Sequence, residues 1–461
     1  MVETCDYLLG CLLIGYATVA LLYPLQSISW PLAMGLSILV GCCEVALFFF
    51  YMGLAGIRPN HGMLFIVEAA ALVVIAGLYQ AGRRVVPRWP TDWKRNHGWG
   101  YYLWYLFPLV LACYVGATAL RIATSTPLIG WDAWAIWLYK AKLLAAENLV
   151  PPPWVFTSPS GFGHPHYPLL WPMLAAGAYG ITGTADDHYA RLILIFLWIG
   201  WGLMTYSALR WKLPRLPAAM LASLQLSLPL VTEYASNGYA DVVLAGFYGG
   251  MICLILRLRD SADWSVLISA ALLGAGAAFT KHEGMPLACF GAVLVLAMAA
   301  RHGRAKAALM AGAFVGIVVI LLFPWYVWSQ HFPRTDEDYG SHISEFFNSA
   351  NIQRFHVIIP AVGSELMKWG NWGPLWALLL IIAVLGWRAF RYSYIRALWA
   401  LLAAHFLLYM FVYVITPRDI NWLISTTLNR LIIHITPVAI LLIGYHWSAL
   451  CAYDVPEEQT V

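Results

Sequence analysis

The stretch HYPLLWPMLAAGAYGIT, residues 166–182, decides the topology of the chain. It is apolar enough to pass for a membrane-crossing helix. It is also shorter than the ~20 apolar residues that a crossing needs, and it carries Pro168 and Pro172, both costly inside a helix. Counting it as a crossing would put Arg210, Lys212 and Arg215 outside and invert the basic clusters that follow. We therefore read it as a re-entrant or interfacial element on the non-cytoplasmic side.

The surrounding composition leaves no doubt about the class. The chain has 461 residues, 61% of them hydrophobic and 11% charged, with a mean hydropathy of +0.70. A soluble domain averages about 25% charged residues. Apolar runs recur from end to end, so an all-α, polytopic membrane protein of about 13 transmembrane helices is expected. The expected spans are 7–25, 31–53, 62–80, 101–122, 190–210, 218–235, 239–257, 264–280, 284–300, 306–328, 372–390, 395–415 and 430–449. The net charge of +4 says little, because in a membrane protein the position of each charge matters more than the sum.

Basic residues then orient the bundle. Arg83, Arg84, Arg88, Lys94 and Arg95 share one connector. Arg210/Lys212/Arg215, Arg257/Arg259, Arg301/Arg304/Lys306 and Arg388/Arg391/Arg396 mark four more. All five fall on one side, which the positive-inside rule makes cytoplasmic. The N-terminus is then outside and the tail DVPEEQTV inside. The start MVETCDYLLG has acids and no Lys or Arg, so it is a poor secretory signal and is read as the beginning of a retained span. The eight cysteines lie almost all in apolar runs without a metal-type CxxC, and read as small core residues.

Two units are expected. Residues 1–98 form a helical leader of about three spans plus the basic connector, and residues 99–461 form the core. The core carries two long outer loops, 123–189 and 329–371, rich in Trp, Pro, His and charge. Loops of that length in a compact protein are usually functional or disordered; these read as functional. No internal repeat of the transporter kind is visible.

Eleven basic residues remain on the disfavoured side: Arg58, Arg121, Lys140, Lys142, Arg191, Lys281, Arg334, Arg354, Lys368, Arg418 and Arg430. Each alone could snorkel to lipid headgroups. As a set converging on one face they would suit a lipid-linked phosphate. GWDAWAIWLYKAK (130–142) reads as the start of a helix lying along the outer membrane surface, with Trp134, Trp137, Leu138 and Ala141 as its apolar stripe. Asp132 in its first turn and Lys140 and Lys142 further along also suit the helix dipole without any chemistry. Three more stretches add polar groups at the same level. FGHPHYPLLWP (162–172) brings His164, His166 and Tyr167, ASNGYADVVLAG (235–246) brings Asp241, and FTKHEGMPLA (279–288) brings Lys281, His282 and Glu283. Each could be an ordinary polar turn. Together, a carboxylate beside phosphate-binding bases is the equipment for activating a hydroxyl against a sugar phosphate.

The order of these features is an early Asp in the first outer loop, H-P-x-Y-P, a span opening YAR, a GYAD turn and a T-K-x-E-G hairpin. It resembles the GT-C superfamily of integral membrane glycosyltransferases, which includes protein O-mannosyltransferases and the aminoarabinose transferases of lipid A. The likeness covers about residues 100–330 by motif order and the rest by topology. It implies a GT-C-like core with juxtamembrane helices on its outer surface. It implies transfer of a sugar from a polyprenyl-phosphate donor to a glycan, lipid or protein acceptor at the outer face of the cytoplasmic membrane. Asp132 matches the catalytic acid and would act as general base, with inversion at the anomeric carbon. Lys281 matches the lysine of the T-K hairpin, and Lys140, Lys142, Arg191 and Arg430 are further phosphate candidates. His164, His166, Tyr167, Asp241, His282, Glu283 and Arg418 complete the expected donor site. The chain departs from many relatives in following Asp132 with Ala133 and Trp134 where they carry a second acid. No cofactor is expected; Asp132, Asp241 and Glu283 could supply metal ligands, but nothing in their spacing indicates it. The lipid bilayer is a partner and nucleic acid is not. The alternatives are a polyprenyl-diphosphate-dependent ligase or polymerase of surface polysaccharide, and a lipid or solute transporter.

Overall fold

The computed structural model describes residues 2–57, 61–88, 103–146, 164–332 and 339–451. Lys94, Arg95, Arg58, Arg334 and the acidic tail lie outside the described residues. The chain is helical throughout this set, with no strand beyond a single bridge between Ser29 and Arg88. The first four long helices are α1 (Val2–Leu22), α2 (Trp30–Leu54), α3 (His61–Gln80) and α4 (Leu106–Ser125). The first outer loop contributes α5 (Leu138–Ala146) and α6 (Leu170–Thr182). Then come α7 (Leu192–Leu209), α8 (Arg215–Ser227), α9 (Pro229–Tyr234), α10 (Asp241–Ile255), α11 (Trp264–Ala278), α12 (Gly284–Ala299) and α13 (Arg304–Ser329). The last set is α14 (Phe355–Leu366), α15 (Leu375–Leu385), α16 (Ser393–Ile415), α17 (Ile420–Ile433) and α18 (Thr436–Leu450).

Nine helices among the described residues are long and apolar enough to cross a membrane, or ten if the bent pair α17–α18 is one span. Outward faces such as Phe65, Ile66 and Val73 on α3 and Val319, Ile320 and Phe323 on α13 are exposed and apolar, as lipid contact requires. The expected 13 is reached only by counting three segments that fall short. Residues 218–235 are not one helix: Leu228 precedes Pro229 and is driven to an extended backbone, which separates α8 from α9. Helices α11 and α15 have 15 and 11 residues, roughly 22 and 16 Å long against a hydrocarbon core of about 30 Å.

Residues 166–182 do not form a crossing either. Helix α6 is 13 residues long and buried from Leu170 to Tyr179, packed among α1, α2 and α5. It is held by protein on its sides rather than lying at a lipid surface. Helix α2 is central: it is buried along most of its length and packs on α1, α6, α7 and α11. Its contact with α1 is backbone to backbone. A Cβ on Gly41 would fall 1.9 Å from the Cys11 carbonyl oxygen, and one on Gly15 would fall 2.0 Å from that of Ser37. Small residues allow this approach in a medium that provides no hydrophobic drive between helices. Gly41→Val should therefore force the pair apart and lower the thermal stability of the purified protein by about 1–3 kcal/mol; Ala311→Val, on a half-buried position away from that contact, is the control.

Helix α10 joins two groups of polar residues. It begins at Asp241, is buried throughout, and runs on into Arg257 and Arg259. At that far end Trp211 Nε1 donates to Asp260 at 2.9 Å and its ring packs on Tyr394 and Tyr445. Three of the basic clusters thus meet around one end of the bundle, and Asp241 lies at the other.

Candidate functional site

Asp241 opens α10 with a side chain that has no exposure. Buried charges persist only when paired, and this one is paired three ways. Lys281 Nζ, in the turn between α11 and α12, donates to Oδ1 at 2.8 Å. Arg430 Nε, in the last turn of α17, donates to Oδ2 at 3.2 Å. His434 Nε2 lies 3.2 Å from Oδ1. Arg430 and His434 are four residues apart and so share a helical face, yet the helix breaks there: α17 ends at Ile433, α18 starts at Thr436, and the two meet at 44°. Tyr409 Oη lies 3.1 Å from His434 Nδ1; a neutral ring that donates from Nε2 accepts from the phenol there.

Arg430 reaches a second carboxylate. Its Nη2 lies 2.6 Å from Asp132 Oδ2, and its guanidinium sits over the Tyr239 ring at 4.8 Å. Asp132 is half-open, with its side chain 20% exposed, whereas Asp241 is sealed. It stands at the start of a π-helical turn, Ala133–Trp137. The loop before it fits because residue 130 is glycine, where a Cβ would fall 2.2 Å from the Tyr239 ring. The chain of contacts Asp132–Arg430–Asp241–Lys281–Glu283 therefore joins four segments far apart in sequence, with Lys281 Nζ 3.4 Å from Glu283 Oε1.

The turn carrying Lys281 and Glu283 gives this cluster a pH signature. Burial opposes the Lys281 ammonium, but the Asp241 and Glu283 carboxylates outweigh it and hold its pKa above the ordinary lysine value. Burial opposes the Glu283 carboxylate too, and Lys281 outweighs it, holding that acid below the ordinary range. A raised lysine stabilises the fold below its unfolded pKa and loses that contribution as pH rises through the folded value. A lowered glutamate stabilises above its unfolded pKa and loses its contribution as pH falls through the folded value. Both contributions are intact between roughly pH 5.5 and 9.5. The contribution of this pair should stay level across that window and fall on acidification, so Glu283→Gln should make the acid-side fall in melting temperature shallower than in the wild-type chain.

The remaining expected residues are placed differently. Lys140 is fully buried, and its Nζ donates to the carbonyls of His164 at 2.5 Å and Tyr167 at 3.4 Å. It clamps the His164–Tyr167 turn, in which His164 has a φ of 58°. Arg191, also buried, donates to the carbonyls of Thr126, Ser236 and Asp187 and ties three connectors together. Lys142 is paired with Asp187 at 2.7 Å, and Tyr179 Oη donates to the same carboxylate at 2.6 Å. Tyr167 is the hub of a ring stack, 5.4 Å from Trp137, 4.7 Å from His164 and 4.9 Å from His282. His166 meets Phe332 edge-on at 5.5 Å. Arg418 lies over the Trp422 ring at 5.7 Å. The surface-helix reading of 130–142 needs correction. Trp137, Leu138 and Ala141 are buried in protein, while Trp134 is 51% exposed. The π turn holds more residues per turn than an α-helix and rotates Trp134 off the stripe.

His434, Tyr239 and Tyr409 were not anticipated. The spacing of Arg430 and His434 could have flagged the histidine, but its setting in LIIHITPV reads as core. Among the described residues no three His, Cys, Asp or Glu side chains gather where they could hold a metal ion. In comparison with protein-family models, curated proteins and solved structures, the chain finds no match.

Proposed function

We propose that the chain is a membrane glycosyltransferase of the GT-C type that moves a sugar from a polyprenyl phosphate to an acceptor hydroxyl. One observation carries this reading: the half-open Asp132 stands 2.6 Å from an arginine that is itself backed by the buried Asp241–Lys281 pair. Arg430 is the group that an anionic leaving phosphate would meet, and such charge stabilisation is usually the largest single term in catalysis. Asp132 is the carboxylate next to it, suited to take the acceptor proton as the hydroxyl attacks the anomeric carbon. The bond to the lipid phosphate oxygen breaks as the new glycosidic bond forms. Lys281 acts through Asp241 and is a positioning residue. The donor class, the outer face of the cytoplasmic membrane and the GT-C core belong to the same proposal.

The test is transfer of label from a radiolabelled polyprenyl-phosphate sugar to a membrane extract by the purified protein. Transfer that disappears in Asp132→Asn supports the reading; full turnover in that variant overturns it. A second reading, a proton- or solute-coupled transporter, is favoured by the 44° break beside His434 and Asp241, since broken helices and buried ionisable groups mark transport sites. It predicts pH-dependent uptake by proteoliposomes and no transfer of label.

A further inference from the structure

The leader helices border a separate, half-open site. A cavity of about 170 Å³ lies between α1, α2 and α3, lined by Ile14, Glu44, Val45, Phe48, Phe49, Leu64 and Val67. Helix α1 packs on both α2 and α3, and the cavity fills the space left beside it. Six of its seven lining residues are apolar, and the seventh is a carboxylate in the middle of α2. Thr18 Oγ1 donates to Glu44 Oε1 at 2.8 Å. Glu44 Oε2 is buried with no hydrogen-bond partner. An unpartnered buried polar atom in a native fold asks for an occupant, and a carboxylate among apolar walls is costly until a donor or a cation meets it.

The charge pattern says which. Helices α1, α2 and α3 hold Glu3, Asp6, Glu44 and Glu68 and no Lys or Arg. No lysine or arginine of these three helices can therefore pair with Glu44. The volume suits a group slightly larger than benzene, which a cavity of about 150 Å³ accommodates. We propose that this cavity binds a lipid-soluble amine, its apolar body against Phe48, Phe49, Leu64 and Val67 and its ammonium drawing the Glu44 carboxylate round to accept from it. A neutral alcohol would supply the donor without the charge, and a plain acyl chain would supply neither. The site is independent of the Asp132–Arg430 cluster and of the reaction proposed for it.

The test uses the full-length protein in lipid nanodiscs and three photoreactive probes of equal chain length: a diazirine-bearing alkylamine, the matching alcohol and the matching alkane. Labelled residues are read by peptide mass spectrometry. The amine should label Ile14, Leu64 or Val67 about tenfold more than the alcohol, the size of one charge-assisted hydrogen bond. An unlabelled alkylamine should compete it away in the wild-type chain. Glu44→Gln should erase the amine preference while Glu44→Asp keeps part of it. Equal labelling by all three probes, an amine preference that survives Glu44→Gln, or no label in the cavity would each overturn the proposal. The competition arm needs no variant, so a misfolded Glu44→Gln chain does not blunt it.

Discussion

Asparagine at position 132 should cut transfer by a factor on the order of 10² to 10⁴, the range for a positioned general base, and should tighten binding of the lipid phosphate. The second half of this result follows from the ion pair. The Asp132 carboxylate already occupies Arg430 Nη2 at 2.6 Å, so an incoming phosphate competes with it for the same donor. Asparagine keeps the shape and gives up the charge. The gain in affinity should be about tenfold, as expected when one charged hydrogen-bond competitor is removed. Equilibrium binding of labelled polyprenyl phosphate and single-turnover transfer, measured on the same preparation, separate the two halves. Lost transfer with unchanged affinity would mean that Asp132 and the phosphate do not share Arg430. Tighter binding with full transfer would mean that the base is another group.

The second large effect belongs to stability. Asp241→Asn leaves Lys281 and Arg430 facing the same buried point without the negative charge that joins them. Breaking a buried pair on one side costs about 3–5 kcal/mol, whereas replacing both partners with apolar groups is often close to neutral. The single variant should melt well below wild type in detergent. The double variant Asp241→Asn/Lys281→Met should regain part of the loss, a coupling expected only for residues in contact. If the two single variants and the double follow simple addition, the cluster is not held together as its distances suggest.

How far the sequence could be read differs by residue. The helical membrane class and the separation of Asp241 from Arg257 and Arg259 by the length of one helix were legible, because both depend on apolar periodicity and charge position. Lys281, Arg430 and Asp241 were singled out and do meet. Lys140 and Arg191 carried the same outward-charge signal, yet their donors serve backbone carbonyls. A list of residues cannot distinguish a base that awaits a ligand from one that holds its own loops. The count of 13 spans is not confirmed at Pro229 and at two short helices, where apolar composition continues but helix length does not. Trp134 was misplaced because a single π turn changes the phase of everything read at a 3.6-residue period.

The break between α17 and α18 has a mechanical consequence. Arg430 belongs to the short rod and His434 to the joint itself, so the two grips on Asp241 are not bound to move together. Arg430 lies about 6 Å along the axis from the joint, at 1.5 Å per residue. Tilting the short rod by roughly 10° would carry that point about 1 Å sideways, enough to open a 2.6 Å contact with Asp132. The histidine would stay on the aspartate meanwhile. A hinge in this position works as a lever that can release one carboxylate while keeping hold of the other.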